Sequence, residues 1–144
     1  MIAMSRSGYS DDMEDLWAFI RYRGAVTSGI RGARGQRLLR QLLEALDAMP
    51  DKRLSAGDLE KDGCHCALGV IGAARGLDMS SIDPHRSAQV SRAFDIAEAV
   101  AREIVFENDE NGHWDETPEG RWVRMRTWVQ SQLLARNGGE GANV

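Results

Sequence analysis

Cysteine is almost missing from this chain. Cys64 and Cys66 are the only two in 144 residues, and one residue between them leaves them too close for an ordinary structural bridge. A disulfide-stapled secreted scaffold is excluded, and a reducing cytoplasm is the expected setting. Proline occurs three times and aromatics make up 6%, so the backbone is seldom interrupted and each large ring counts. Uncharged stretches all fall well short of the roughly 18 apolar residues of a membrane span. The start, Met1 to Arg6, has no apolar stretch ahead of the acids that follow, and no secretory leader is expected. Catalytic signatures are absent too. There is no Gly-x-Ser-x-Gly, no Walker loop, no His-Glu-x-x-His, and no Gly-x-Gly-x-x-Gly after a strand. The expectation is a protein that is not an enzyme and needs no cofactor.

What is present suits one folded domain. The chain is 42% apolar and 28% charged, ordinary values for a globular protein of this length. The expected organisation is a flexible arm over 1–10, a helical domain over 11–135, and a disordered glycine-rich tail over 136–144. The formal charge is −4, so the whole molecule is no polycation. The charge is unevenly placed, however. Leu16 to Leu43 holds no acid but contains Arg21, Arg23, Arg31, Arg34, Arg37 and Arg40. Glu107 to Glu119 holds six acids and neither Lys nor Arg. Sixteen of the 18 cations are Arg, the residue that pairs bidentately with carboxylate and phosphate. A GC-rich genome produces the same bias, and the two charged segments could also satisfy each other across the fold.

Helical periodicity dominates the rest. Ser10 can cap a first helix, with Met13, Leu16, Trp17, Ile20, Val26 and Ile30 on its core side. Three glycines between Gly29 and Gly35 predict a break. Leu38, Leu39, Leu42, Leu43, Leu46 and Met49 form a strong helical stripe opposite Arg37, Arg40, Gln41 and Glu44, and Pro50 ends it. Residues 51–63 read as a short irregular or β segment. Cys64 to Arg75 is apolar nearly all round and predicts a buried central helix stopped by Gly76. Its small residues would let neighbouring helices approach closely. Asp83-Pro84 marks a turn, and one long amphipathic pattern runs from Val90 to Val105. Thr117-Pro118-Glu119 opens a last helix as cap, first-turn proline and first-turn acid. Trp122, Met125, Val129, Gln132 and Leu133 lie on its inner face. The fold class predicted is mostly α, a compact bundle of four to five helices.

Three constellations could carry function. Cys64-His65-Cys66 with His85 or His113 offers soft ligands, but Cys-x-Cys is at most one half of a zinc site; the alternative is small buried thiols beside a surface His. Glu107 to Pro118 imitates a calcium loop in its oxygen residues and its Gly112, yet begins with Glu and has Pro where the bidentate acid belongs. A capped helix–turn–helix link explains the same residues, and no metal is expected. The Arg stripe is the third: Arg31, Arg34, Arg37 and Arg40 could hold phosphates, with Trp17, Phe19 and Tyr22 nearby to stack on bases, although helical spacing makes Trp17 and Phe19 core. A solvated face is the competing reading.

Five fragments carry a resemblance over roughly residues 5–130. They are Ser5 to Asp12, Cys66-Ala67-Leu68-Gly69, Phe94-Asp95-Ile96-Ala97, Asn108-Asp109-Glu110, and Thr117-Pro118-Glu119 with Arg121-Trp122. Together they are similar to an uncharacterised family of small proteins of tailed bacteriophages and prophages. The family is known by pattern, so no functional residue transfers. The resemblance implies a cytoplasmic accessory protein of an infected or lysogenic host. Such proteins commonly bind and inhibit a host defence complex, as anti-CRISPR inhibitors do. On that expectation the partner is a host protein or complex, met by the acidic segment Glu107, Asp109, Glu110, Trp114, Asp115 and Glu116. The alternative is a small nucleic-acid-binding regulator using 21–40. No membrane is involved in either, and the chain acts as a monomer or a homodimer.

Overall fold

The computed structural model describes residues 16–61 and 63–135. The Ser10 cap, Met13, the arm at 1–10 and the tail at 136–144 lie outside the described residues. Six α-helices follow in order: α1 (Leu16–Arg31), α2 (Ala33–Ala48), α3 (Ala67–Arg75), α4 (Ser87–Phe94), α5 (Glu98–Asp109) and α6 (Pro118–Gln132). A small hairpin pairs β1 (Glu60–Lys61) with β2 (Cys64–His65), and a 3-10 turn spans Met79–Ser81. The fold is mostly α, with the short β segment at the edge of the stretch expected for it.

α2 and α5 organise the core. α2 packs against α1, α3 and α6, while α5 packs against α1, α3, α4 and α6. Leu38, Leu39, Leu42 and Leu46 of α2 meet Leu68 and Ile71 of α3, Val100, Ala101 and Ile104 of α5, and Met125 and Val129 of α6 in one buried cluster. Burying each of these side chains larger than alanine stabilises the fold by about 1.5–3 kcal/mol. No helix among the described residues is long and apolar enough to cross a membrane.

Three expectations need correction. The glycine break shrinks to Gly32 alone: it is the N-cap of α2, and Gly32 N still donates to Ser28 O at 3.1 Å. Gly29 and Gly35 stay helical because that corner is tightly packed; a methyl on Gly35 would overlap the Gly29 carbonyl, and one on Gly29 would lie 2.5 Å from Val100 Cγ2. The long pattern from Val90 to Val105 is two helices, because Asp95 turns left-handed (φ 57°) as the C-cap of α4. The helix expected from Cys64 starts at Ala67, since Cys64 and His65 are spent on the hairpin. Gly76 does end it, at φ 70°. Its Gly69 and Gly72 make room for the Leu59 carbonyl and the Met79 thioether rather than for helices.

Val26 and Ile30 of α1 are core, but Trp17, Phe19 and Ile20 are largely exposed. α1 runs antiparallel to α5, with Arg23 on Glu103 and Gly29 against Val100 and Ala97. Its first turn is therefore level with the end of α5, and no further helix among the described residues covers it.

Candidate functional site

The acidic segment between α5 and α6 is built from the inside outward. Asn108, 1% exposed, ties it to the body. Its side chain donates to Ser55 O at 2.9 Å and accepts from Ala67 N at 3.1 Å, so α5 caps the start of α3. Its carbonyl accepts from Arg121 at 3.0 Å and from Arg124 at 3.3 Å. Those same guanidinium groups hold the Glu116 carboxylate, Arg124 at 2.6 and 2.9 Å and Arg121 at 3.4 Å. The hydrogen bonds from Arg124 outweigh burial and keep the Glu116 carboxyl below the usual carboxylate range. Gly112 sits where a methyl would fall 2.6 Å from Glu116 Oε1. Thr117 accepts from Gly120 N at 3.0 Å, and Pro118 begins α6.

This network holds the turn while leaving one large ring outside. Trp114 is 90% exposed, flanked by Glu110, His113 and Asp115, which are exposed as well. His113 Nδ1 and Asp115 form a close pair.

The six acidic-segment residues therefore do not form one surface. Glu110, Trp114 and Asp115 face solvent, whereas Glu107 is buried in the last turn of α5 and Glu116 is clamped by arginines. Asp109 is half-buried and accepts from Gly57 N at 3.2 Å. The segment is a capped helix link. Its calcium-like oxygens are turned to protein partners, Glu107 accepting from Asn111 at 2.9 Å.

The ion pairs of the two charged segments run mostly to other elements among the described residues, although the Arg23 charge acts on Glu107. Glu116 pairs with α6, while the Arg stripe reaches Glu103 through Arg23 at 2.7 Å and Asp95 through Arg34 at 3.2 Å. Arg31, Arg34 and Arg37 are exposed and Arg40 is half-buried. Among the described residues Arg31, Arg37 and Arg40 form no ion pair.

Cys66 is 1% exposed, and its sulfur caps α3 by accepting from Gly69 N at 3.5 Å. His65 lies 3.3 Å from Glu60. His85 is at the turn before α4 and His113 is in the α5–α6 link. No group of three or more His, Cys, Asp or Glu that could hold a metal ion is found among the described residues.

Sequence reasoning missed two hollows. An apolar cleft of about 470 Å³ lies between the end of α2 and α3, with Cys64, His65 and Arg53 at its rim. A polar cleft of about 370 Å³ opens between α1, α5 and α6. The available signal for the second was Glu103 and Glu107, one turn apart on an otherwise apolar face of α5.

No protein-family model, curated protein or solved structure matches this chain.

Proposed function

We propose that this protein is a contact-only inhibitor that docks on a host protein complex through the α5–α6 link. The single observation that carries the reading is Trp114, held almost wholly exposed on a turn whose backbone is otherwise pinned. A pinned aromatic loses little entropy on binding, and tryptophan is among the residues that dominate interface energy. Glu110 and Asp115 beside it suit a basic groove on the partner, one that ordinarily takes phosphate. The phage-like resemblance supplies the class of partner: a defence complex that handles nucleic acid, as for anti-CRISPR proteins.

The test compares capture of partners from host lysate by the intact chain, by Trp114→Ala, and by the double reversal Glu110→Lys/Asp115→Lys. One stoichiometric partner is expected for the intact chain and none for either variant, with unchanged circular dichroism. Equal capture by all three proteins rejects the proposal.

A second reading rests on Arg31, Arg37 and Arg40, which form no ion pair among the described residues: a nucleic-acid-binding regulator. It requires duplex affinity that falls with salt at a log–log slope of about −0.9 per phosphate contacted. Undetectable binding to DNA and RNA at low salt eliminates it.

A further inference from the structure

We infer that the cleft between α1, α5 and α6 binds a small bipolar molecule, its ammonium group at Glu107, its anionic group at Arg31 and its aliphatic or aromatic body on Trp128. At about 370 Å³, it falls within the range of small-molecule sites. Three features give the ligand its chemistry.

The first is Glu107. It lines the cleft and is only 7% exposed, yet no Lys, Arg or His nitrogen among the described residues lies within ion-pairing distance. One oxygen accepts from Asn111 at 2.9 Å, and no hydrogen bond to the other is made by the described residues. Glu103, Arg23 and Arg124 are the charged groups that act on it, and burial outweighs them, pushing its carboxyl above the usual range. A buried carboxylate with no ion pair in contact with it is costly, and an ammonium group is the complement that offsets the cost.

The second is the wall. Glu103, also lining the cleft, is already engaged in a forked pair with Arg23 at 2.7 and 3.2 Å. That pair is neutral overall, and neither of its side chains is ion-paired or hydrogen-bonded to the Glu107 carboxylate.

The third is the far end. Gly29 lies beside Val100, so Arg31 sits near the start of α5 while Glu107 sits in its last turn. The seven residues from Val100 to Glu107 span about 10 Å of helix. Opposite charges thus mark opposite ends, with Trp128 and Gln132 between them. This arrangement favours an amino acid with its charges well separated over a simple cation, which would engage Glu107 alone. The inference does not depend on the contact function of the α5–α6 link.

The probe is 6-aminohexanoate, with hexylamine and hexanoate as one-ended controls, titrated into the full chain and followed by the Trp128 indole signal in NMR. Saturable shifts are expected with 6-aminohexanoate, and much weaker ones with either control. Glu107→Gln keeps an oxygen for Asn111, and Arg31→Gln alters an exposed side chain, so both should fold. Each should weaken binding by about tenfold or more. No saturable shift at millimolar probe overturns the inference, as does unchanged affinity in both variants. Hexylamine binding as tightly as 6-aminohexanoate overturns the bipolar assignment.

Discussion

At the scale of single residues, two glutamates nine positions apart show how surroundings decide the work of one side chain. Glu107 is buried away from any ion-pair partner among the described residues, and burial raises its carboxyl. A raised folded value means the ionised group opposes folding above that value and has no effect below the ordinary carboxylate range. Glu107→Gln should therefore raise the melting temperature near neutral pH and leave it unchanged near pH ~3; melting curves at the two pH values check this. Glu116 has the opposite sign. Its lowered carboxyl stabilises the fold above the ordinary range, and that contribution is lost as pH falls through the lowered value. Acid titration should therefore leave the α5–α6 link in place through the ordinary carboxylate range and free it only below that range, seen as a shift of the Trp114 signal at that lower pH. Asn108→Leu removes a buried side chain that serves three partners, and should cost about 2–4 kcal/mol by chemical denaturation. None of this was visible in the sequence. Glu107 and Glu116 both read as loop acids, because their burial and pairing depend on α6 folding back across the end of α5.

At the scale of elements, the legible parts are those whose signals are local. The leucine stripe of α2, the Thr117-Pro118 start of α6 and the Gly76 stop of α3 all stand where their residues place them. The illegible parts follow from tertiary packing. Gly29 and Gly35 look like helix breakers, yet they allow α1, α2 and α5 to meet closely. The end of α4 at Asp95 was hidden because a non-glycine residue takes the left-handed conformation. Glycine substitutions separate the two kinds of site. Gly24 has open space where a methyl would go, so Gly24→Ala should stabilise α1 by about 0.5–1 kcal/mol. Gly69→Ala would drive a methyl into the Leu59 carbonyl, and should destabilise by about 2 kcal/mol or more. Thermal unfolding of both variants is the check.

At the scale of the whole molecule, buried polar side chains lock the bundle where helices meet. Gln36, 5% exposed, donates to Ile30 O at 2.9 Å and Gln132 O at 3.0 Å, and accepts from Leu134 N at 2.9 Å. One side chain thus fastens the α1–α2 corner to the end of α6, as Asn108 fastens α5 to α3. The apolar stripes of α2 and α5 are consumed in the core, and the features exposed among the described residues include the Trp114 turn, the first turns of α1 with Trp17 and Ile20, the arginines of α2 and the polar cleft. The central claim is that Trp114 is the contact point. A photo-crosslinking residue placed at 114, and separately at 40, in the producing host tests it most directly. The account predicts a single protein adduct from position 114 and none from position 40. Adducts from position 40 alone, to nucleic acid or protein, would contradict it.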